Sequence, residues 1–294
     1  IVLFLPVFCP TIGAHLINMN KERKKIITVL LVNYNTSEFV NLLLYSISNL
    51  TQNYYQVIIC DNGSNDKELI KLSHVVRRYK DVNVFFRTQS QHGSIGHAEA
   101  LDILIEKVGT KYTVIMDSDC VLLMKGWDQY MIDQMNKHVK IVGSSKIEGV
   151  KVGRSGSNFI LPFISMFETK IFKDLQISCM PGNIKNGEDT CWEWTKKYKK
   201  NNYKCSKFIG ESTRNNLSTE FSNIVGIEVY YTSECKIIGS HFGRGSSNGY
   251  AKYKNWYFRF IPFLSKYLNN FYGLQQKNKW ILRSINIIKK EILK

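Results

Sequence analysis

No C-x-x-C pair occurs among the seven cysteines, which are odd in number and scattered. That argues against a zinc cluster or a disulfide framework and makes a reducing compartment the default. No internal repeat and no low-complexity linker interrupts the chain. No apolar run reaches the roughly 18–20 clean residues of a transmembrane span. The most apolar stretch, 1–17, carries Pro6, Pro10 and Gly13 and lacks a basic flank. Acids are scarce: 24 Asp+Glu stand against 40 Lys+Arg, a formal charge of +16. The expected partner is therefore anionic: a nucleotide, a polyanion or an acidic membrane. Hydrophobic (44 %) and charged (22 %) shares are ordinary, which excludes disordered and collagen-like classes. A chain of 294 residues holds one large domain or two small ones and buries a core without disulfides.

The sequence begins with Ile, and Met19 fits a start. Residues 1–20 are expected to be a leader foreign to the fold; a membrane anchor is the alternative. Two formal sequons, Asn35-Thr-Ser and Asn62-Gly-Ser, fall where a nucleotide site is expected, and a glycan there would block it. This favours the cytoplasm, with the cytosolic membrane face as a peripheral location. Residues 251–294 hold ten basic residues and one acid, Glu291, interleaved with aromatics such as Trp256, Tyr267, Phe271 and Trp280. Ile281, Ile285, Ile288 and Ile292 recur at helical spacing. Two readings stay open for this tail: an amphipathic helix on an anionic membrane, or a helix packed on the core with a solvated basic face. No nucleic-acid module is visible.

Between the ends, apolar runs at 26–32, 56–60, 82–87 and 112–116 read as strands. Helical spacing at 39–50, 69–79 and 95–108 separates them. The alternation predicts a doubly wound α/β sheet with ligands at the carboxyl ends of its strands. Polar clusters sit at those ends: Asn33-Tyr34-Asn35, Asp61-Asn-Gly-Ser and Asp117-Ser118-Asp119. A turn directly after the fourth strand would aim both acids of Asp117-Ser-Asp119 at one place. Two hard oxygen ligands beside a diphosphate suit Mg2+ or Mn2+; an ordinary turn or helix cap is the competing explanation. Asp61 suits a base N–H or a ribose hydroxyl, and equally an Asx-turn with Asn62-Gly63. Glu188 and Asp189 precede a Trp-rich helical stretch, 191–200, where acids in a first turn are favoured anyway. Strands at 228–231 and 235–239 lead to Ser240-His241-Phe-Gly-Arg244-Gly, a glycine loop able to approach phosphates.

In this order, V-N-Y-N (Val32, Asn33, Tyr34, Asn35), D-N-G-S from Asp61, D-S-D from Asp117, G-E-D from Gly187 and H-F-G-R-G-S from His241 resemble the family 2-like glycosyltransferases with the GT-A fold. The strings span about residues 26–247. The resemblance implies a GT-A-type doubly wound mixed sheet with a nucleotide-binding half (21–120), an acceptor half (121–247) and a basic aromatic helical tail (248–294). It implies a metal-dependent inverting transfer of a sugar from a UDP-, GDP- or dTDP-linked donor to a hydroxyl of a glycan, lipid or protein. Val32, Asn33, Tyr34, Asn35 and Asp61 would hold the nucleoside, with Gly96 in the donor segment. Asp117 and Ser118 would contact the donor, Asp117, Asp119 and His241 would bind Mn2+ or Mg2+, and Arg244 would clamp the diphosphate. Asp189 would deprotonate the acceptor, with Glu188 beside it. The segment Gly93-Ser-Ile-Gly96-His97-Ala-Glu-Ala-Leu-Asp102 departs from the commoner N-x-G-x-x-x-A-x-N form. Trp192 and Trp194 are acceptor-stacking candidates or core. Two rivals remain: a sugar nucleotidyltransferase, which would carry a glycine- and basic-rich loop after its first strand, and a non-catalytic basic scaffold.

Overall fold

The computed structural model describes residues 24–88, 91–145, 147, 160–215, 219–253 and 262–294. The expected leader at 1–20 lies outside the described residues. In chain order the strands are β1 (Ile27–Asn33), β2 (Tyr55–Asp61), β3 (Val82–Phe86), β4 (Tyr112–Asp117), β5 (Cys120–Leu122), β6 (Val139–Ser145), β7 (Ile160–Glu168), β8 (Lys204–Lys207), β9 (Ile209–Ser212), β10 (Glu228–Tyr231) and β11 (Ile237–His241). The helices are α1 (Ser37–Leu50), α2 (Asp66–Val76), α3 (Gly93–Glu106), α4 (Trp127–Asp133), α5 (Thr169–Asp174), α6 (Trp194–Lys200), α7 (Tyr250–Tyr253) and α8 (Pro262–Ile292).

The larger sheet has the order β3-β2-β1-β4-β7-β6-β8. The first four strands are parallel, and β7 runs against both of its neighbours, so the sheet is the expected mixed one. All seven residues of β1 are buried, as a strand covered on both faces requires. Its alternate residues feed two cores. Ile27, Val29 and Leu31 pack with α1, the smaller sheet and α8; Leu30 and Val32 pack with α3, α5 and α6. Neighbours β2 and β4 lie on either side of β1, so the order reverses there, and the crevice at the carboxyl ends of β1 and β4 is the expected binding point.

The smaller sheet, β5-β11-β10-β9, is antiparallel throughout. It grows out of the larger one, because β5 begins two residues after β4 ends. Helix α8 lies along α1. Its Trp280 is fully buried, its ring centroid 5.8 Å from that of Phe39 and 5.6 Å from that of Phe242, and its indole N–H donates to Ser240 Oγ (3.0 Å). The buried Lys277 ammonium pairs with Glu38 (2.6 Å) and donates to Asn248 Oδ1 (3.1 Å). One face of the tail helix is thus core, as the second of its two readings has it, and the helix starts earlier than the isoleucine spacing marks. The strand expected at 235–239 starts at Ile237 instead, because Thr232 to Lys236 close a hairpin turn with Cys235 in the left-handed region (φ 60°).

Candidate active site

Asp117 closes β4, Ser118 and Asp119 make a turn, and Cys120 opens β5. The turn cancels the alternation of an extended chain, so both carboxylates face one imidazole. That imidazole arrives by strand pairing: His241, at the end of β11, registers opposite Cys120. Its Nε2 lies 3.3 Å from Asp119 Oδ1 and 3.8 Å from Asp117 Oδ2, and its Nδ1 lies 3.0 Å from Glu228 Oε2. Phe163 covers the ring, centroids 4.1 Å apart. The glycine loop closes on Asp119: Gly245 N–H donates to Asp119 Oδ2 (2.7 Å), and Phe242 N–H to Asp119 O (2.9 Å). A Cβ on Gly245 would stand 2.7 Å from Asp119 Cβ, so only glycine brings the backbone this near.

Burial opposes charge on His241, but Asp119 and then Glu228 outweigh it and push the imidazole up to about 10. Burial likewise raises Asp119, and the His241 charge with the Gly245 hydrogen bond overcomes this and holds the carboxyl below its ordinary value. Lys252 on α7 donates to Gly226 O and Phe242 O; burial pulls its ammonium down to about 7 against the pull of Asp119 and Glu228. The signs oppose. His241, raised above its unfolded 6.5, stabilises fully below that pH and loses the contribution as pH climbs to about 10. Lys252, lowered from 10.5, costs stability below about 7 and regains it as pH rises. Without added divalent cation, these two contributions nearly cancel from pH 7 to about 8.5, leaving the fall in thermal stability that the buried thiols add as unfolded thiols ionise at about 8.5. Lys252→Met is expected to fall more steeply than wild type over that range; a wild type that falls as steeply as the variant contradicts the assignment.

The donor set fits a divalent cation. Asp119 and His241 lie close enough to share an ion, and the Glu228 contact at Nδ1 leaves Nε2 as the available nitrogen, a carboxylate–histidine brace common at metal sites. Asp117 Oδ2 is 3.8 Å from His241 Nε2 but is not one of the group whose donor atoms lie within 4.8 Å of one another, Asp119, His241 and Cys120. Burial raises the Cys120 thiol well above the ordinary range, so it stays protonated, and a thiol is a poor partner for a hard cation. Neither Cys120 nor Glu228 stood out in the sequence. Glu228 pairs directly with His241 in the β10–β11 register, which only the fold reveals.

A second polar network ties the strand ends together. Asn33 Nδ2 donates to Asp61 Oδ1 (2.7 Å) and to Ser64 Oγ (3.2 Å). Ser64 donates its hydroxyl to Asp61 Oδ1 (2.7 Å) and its N–H to Asp61 Oδ2 (3.0 Å), the expected Asx-type turn. Asn35, left-handed at φ 55°, donates its N–H to Ser64 Oγ (2.8 Å) and accepts from Asn65 N (3.0 Å). The Thr36 hydroxyl bonds Asn33 Oδ1 (2.8 Å) and Ser118 Oγ (2.8 Å), linking this network to the aspartate turn. Thr36 was missed, and nothing in the sequence marks it. Tyr34 is exposed beside the network, while the Val32 side chain lies in the core below α3. Gly96, buried in α3, accepts through its carbonyl from Asn62 Nδ2 (3.0 Å).

The segment carrying Glu188 and Asp189 docks on α3. Asp102 accepts from Ser178 Oγ (2.6 Å) and Cys179 N (2.7 Å), and Thr190 Oγ1 reaches Ser94 O (3.4 Å). Glu188 turns back on its own loop, accepting from Asn183 N (2.6 Å), and Asp189 accepts from Thr190 N (2.8 Å). Neither acid caps α6, whose N-cap is Glu193. After burial, the charges of Asp102, Asp117 and Asp189 raise the Cys191 thiol. Trp194 is core, its indole N–H on Ile160 O (2.7 Å); Trp192 stays half-buried beside Gly182. Arg244 is exposed in the glycine loop at φ 62°.

Among curated proteins, 93 residues are 29 % identical to a teichoic acid poly(glycerol phosphate) polymerase of Staphylococcus epidermidis, 32 % of this chain and 12 % of that one. Over 164 residues the chain is 21 % identical to an uncharacterised glycosyltransferase of Haemophilus influenzae, 54 % of this chain and 64 % of that one. The chain therefore spans less than two thirds of either relative. Among solved structures, mannosyltransferase PcManGT of Pyrobaculum calidifontis, in complex with GDP-Man and Mn2+, superposes with TM-score 0.49 at 14 % identity, over 63 % of this chain and 55 % of that one. TarS 1–349 of S. aureus superposes with TM-score 0.45 at 18 % identity, over 63 % and 58 %. The sequence model of glycosyl transferase family 2 matches residues 28–192, which include Asp61, Asp117, Asp119 and Asp189 and stop short of His241. With more than half of its length matched, the chain belongs to glycosyl transferase family 2.

Proposed function

We propose a metal-dependent, inverting transfer of a sugar from a nucleotide-sugar to an acceptor hydroxyl of a glycan, lipid or protein. The observation that carries it is the convergence of Asp117 and Asp119 on His241 Nε2 while Glu228 holds Nδ1. Asp117, Asp119 and His241 would hold Mn2+ or Mg2+, which when bound neutralises charge on the departing diphosphate. Residues 21–120 form the donor half and 121–247 the acceptor half. The Asn33–Asp61–Ser64 network orients the nucleoside, with Tyr34 exposed beside it and Asn35 and Gly96 shaping the same rim. Ser118, tied to Thr36, links that network to the aspartate turn. Arg244 reaches the diphosphate from the glycine loop, where a guanidinium makes paired hydrogen bonds. Asp189 takes the acceptor proton at its carboxylate as the oxygen attacks the anomeric carbon from the face opposite the leaving group, which inverts the centre.

Nucleotide release from a panel of UDP-, GDP- and dTDP-sugars, with and without Mn2+, tests this. Mn2+-dependent release from one donor supports it. Release of pyrophosphate from a nucleoside triphosphate and a sugar phosphate would favour a nucleotidyltransferase, and no turnover of any donor a scaffold.

We further propose peripheral contact with an anionic membrane through the outward face of α8. Leu264, Tyr267, Phe271, Leu274 and Leu282 follow one side of this helix, each 42–72 % exposed, and Lys279, Arg283 and Lys290 flank them, exposed. Such a face suits the interfacial region of a bilayer. No helix among the described residues is long and apolar enough to cross one. Tyr267→Ser with Phe271→Ser is expected to lower association with phosphatidylglycerol vesicles about tenfold. Equal binding of wild type to phosphatidylcholine vesicles, or an unchanged double variant, contradicts it.

A further inference from the structure

The segment that opens α3 departs from the commoner family form, and His97 is the residue it brings to the site. Its Nε2 is buried with no hydrogen-bond partner, a condition rare enough in folded proteins to need a cause. That nitrogen lies 3.5 Å from Asp117 Oδ1, just beyond a normal hydrogen bond. Asp117 therefore stands between two imidazoles: Oδ1 faces His97 Nε2, and Oδ2 faces His241 Nε2 at 3.8 Å. Helix α3 is well held at this level, by Asn62 on the Gly96 carbonyl and by Asp102 on Ser178 and Cys179.

We infer that His97 is a positioning residue of the cation site: its Nε2–H donates to Asp117 Oδ1 and keeps Oδ2 turned toward His241 and Asp119. It would do for the carboxylate ligand what Glu228 does for the imidazole ligand. This rests on the metal reading of the proposed function. It assigns His97 no contact with the cation, since its nitrogen meets the far oxygen of Asp117.

The test is Mn2+ binding to the purified protein without nucleotide, read by the electron paramagnetic resonance signal of free Mn2+ up to millimolar concentration. Loss of such a second partner typically weakens metal binding by about 10–100-fold. His97→Ala is expected to weaken binding at least about tenfold. His97→Gln, whose amide N–H reaches similarly far, is expected to restore it to within about threefold, and electron spin echo modulation of bound Mn2+ should show one imidazole nitrogen, that of His241. Wild-type affinity in His97→Ala, no rescue by glutamine, or a second coupled nitrogen overturns the assignment. Asp119→Asn separates the two layers. If it loses Mn2+ and His97→Ala does not, only the His97 role falls; if it binds Mn2+ like wild type, the metal reading falls and His97 with it.

Discussion

Asp119→Asn is expected to lower donor turnover about a thousandfold while leaving the protein folded. Removing one preorganised charge from a site of this kind costs roughly two to three orders of magnitude in turnover. Asparagine preserves the volume and still offers an oxygen to Gly245 N–H, which holds the loop at 2.7 Å. What it removes is the charge that contributes most, with Glu228 second, to keeping His241 protonated against the cost of burying it. The imidazole should therefore titrate nearer its ordinary range, a change visible in its histidine carbon resonances. Nucleotide release is the measurement, with circular dichroism as the control. Turnover within tenfold of wild type from a folded variant contradicts the role given to the aspartate turn.

Asp189→Asn is expected to lower kcat about a thousandfold, inside the roughly 10²–10⁴ range of a general base, with donor KM little changed. The neighbouring acid supplies the contrast. Glu188 already accepts from Asn183 N (2.6 Å), and its carboxylate fills the space beside Gly182, where a Cβ would come 2.4 Å from Oε2. Glu188→Gln should therefore change kcat less than tenfold and lower stability by about 1–3 kcal/mol, the cost of weakening a charged hydrogen bond. Equal kinetic losses in both variants would mean that the loop as a whole, and not one carboxylate, matters for the step.

The parallel strands were legible because strands buried on both faces write themselves as apolar runs, and β1, β2 and β4 do so. The turn after β4 was legible as well, since acids directly after such a run have few other places to go. The smaller sheet was legible only in β10 and β11. Strands β5 and β9, and β8 at the edge of the larger sheet, have three or four residues each, too short for periodicity, and β5 takes its meaning from pairing with β11. Glu228 reads as one polar residue in a strand until the register sets it against His241. His97 drew notice only as a departure from a pattern; its contact with Asp117 depends on how α3 lies across the carboxyl end of β4. Trp194, open in the sequence between acceptor stacking and core, is core, because α6 turns it inward under β7.

Because β11 must cross back to β5, the imidazole and the acid it faces are made far apart in time. At roughly 5–20 residues per second, Asp119 is synthesised roughly 6–24 s before His241. The parallel strands can assemble on the ribosome during that interval, yet they lack the nitrogen and the backbone clasp of Gly245. A nascent chain therefore lacks the assembled aspartate–imidazole cluster until residues 241–245 have been made, and the cluster then closes in one late event.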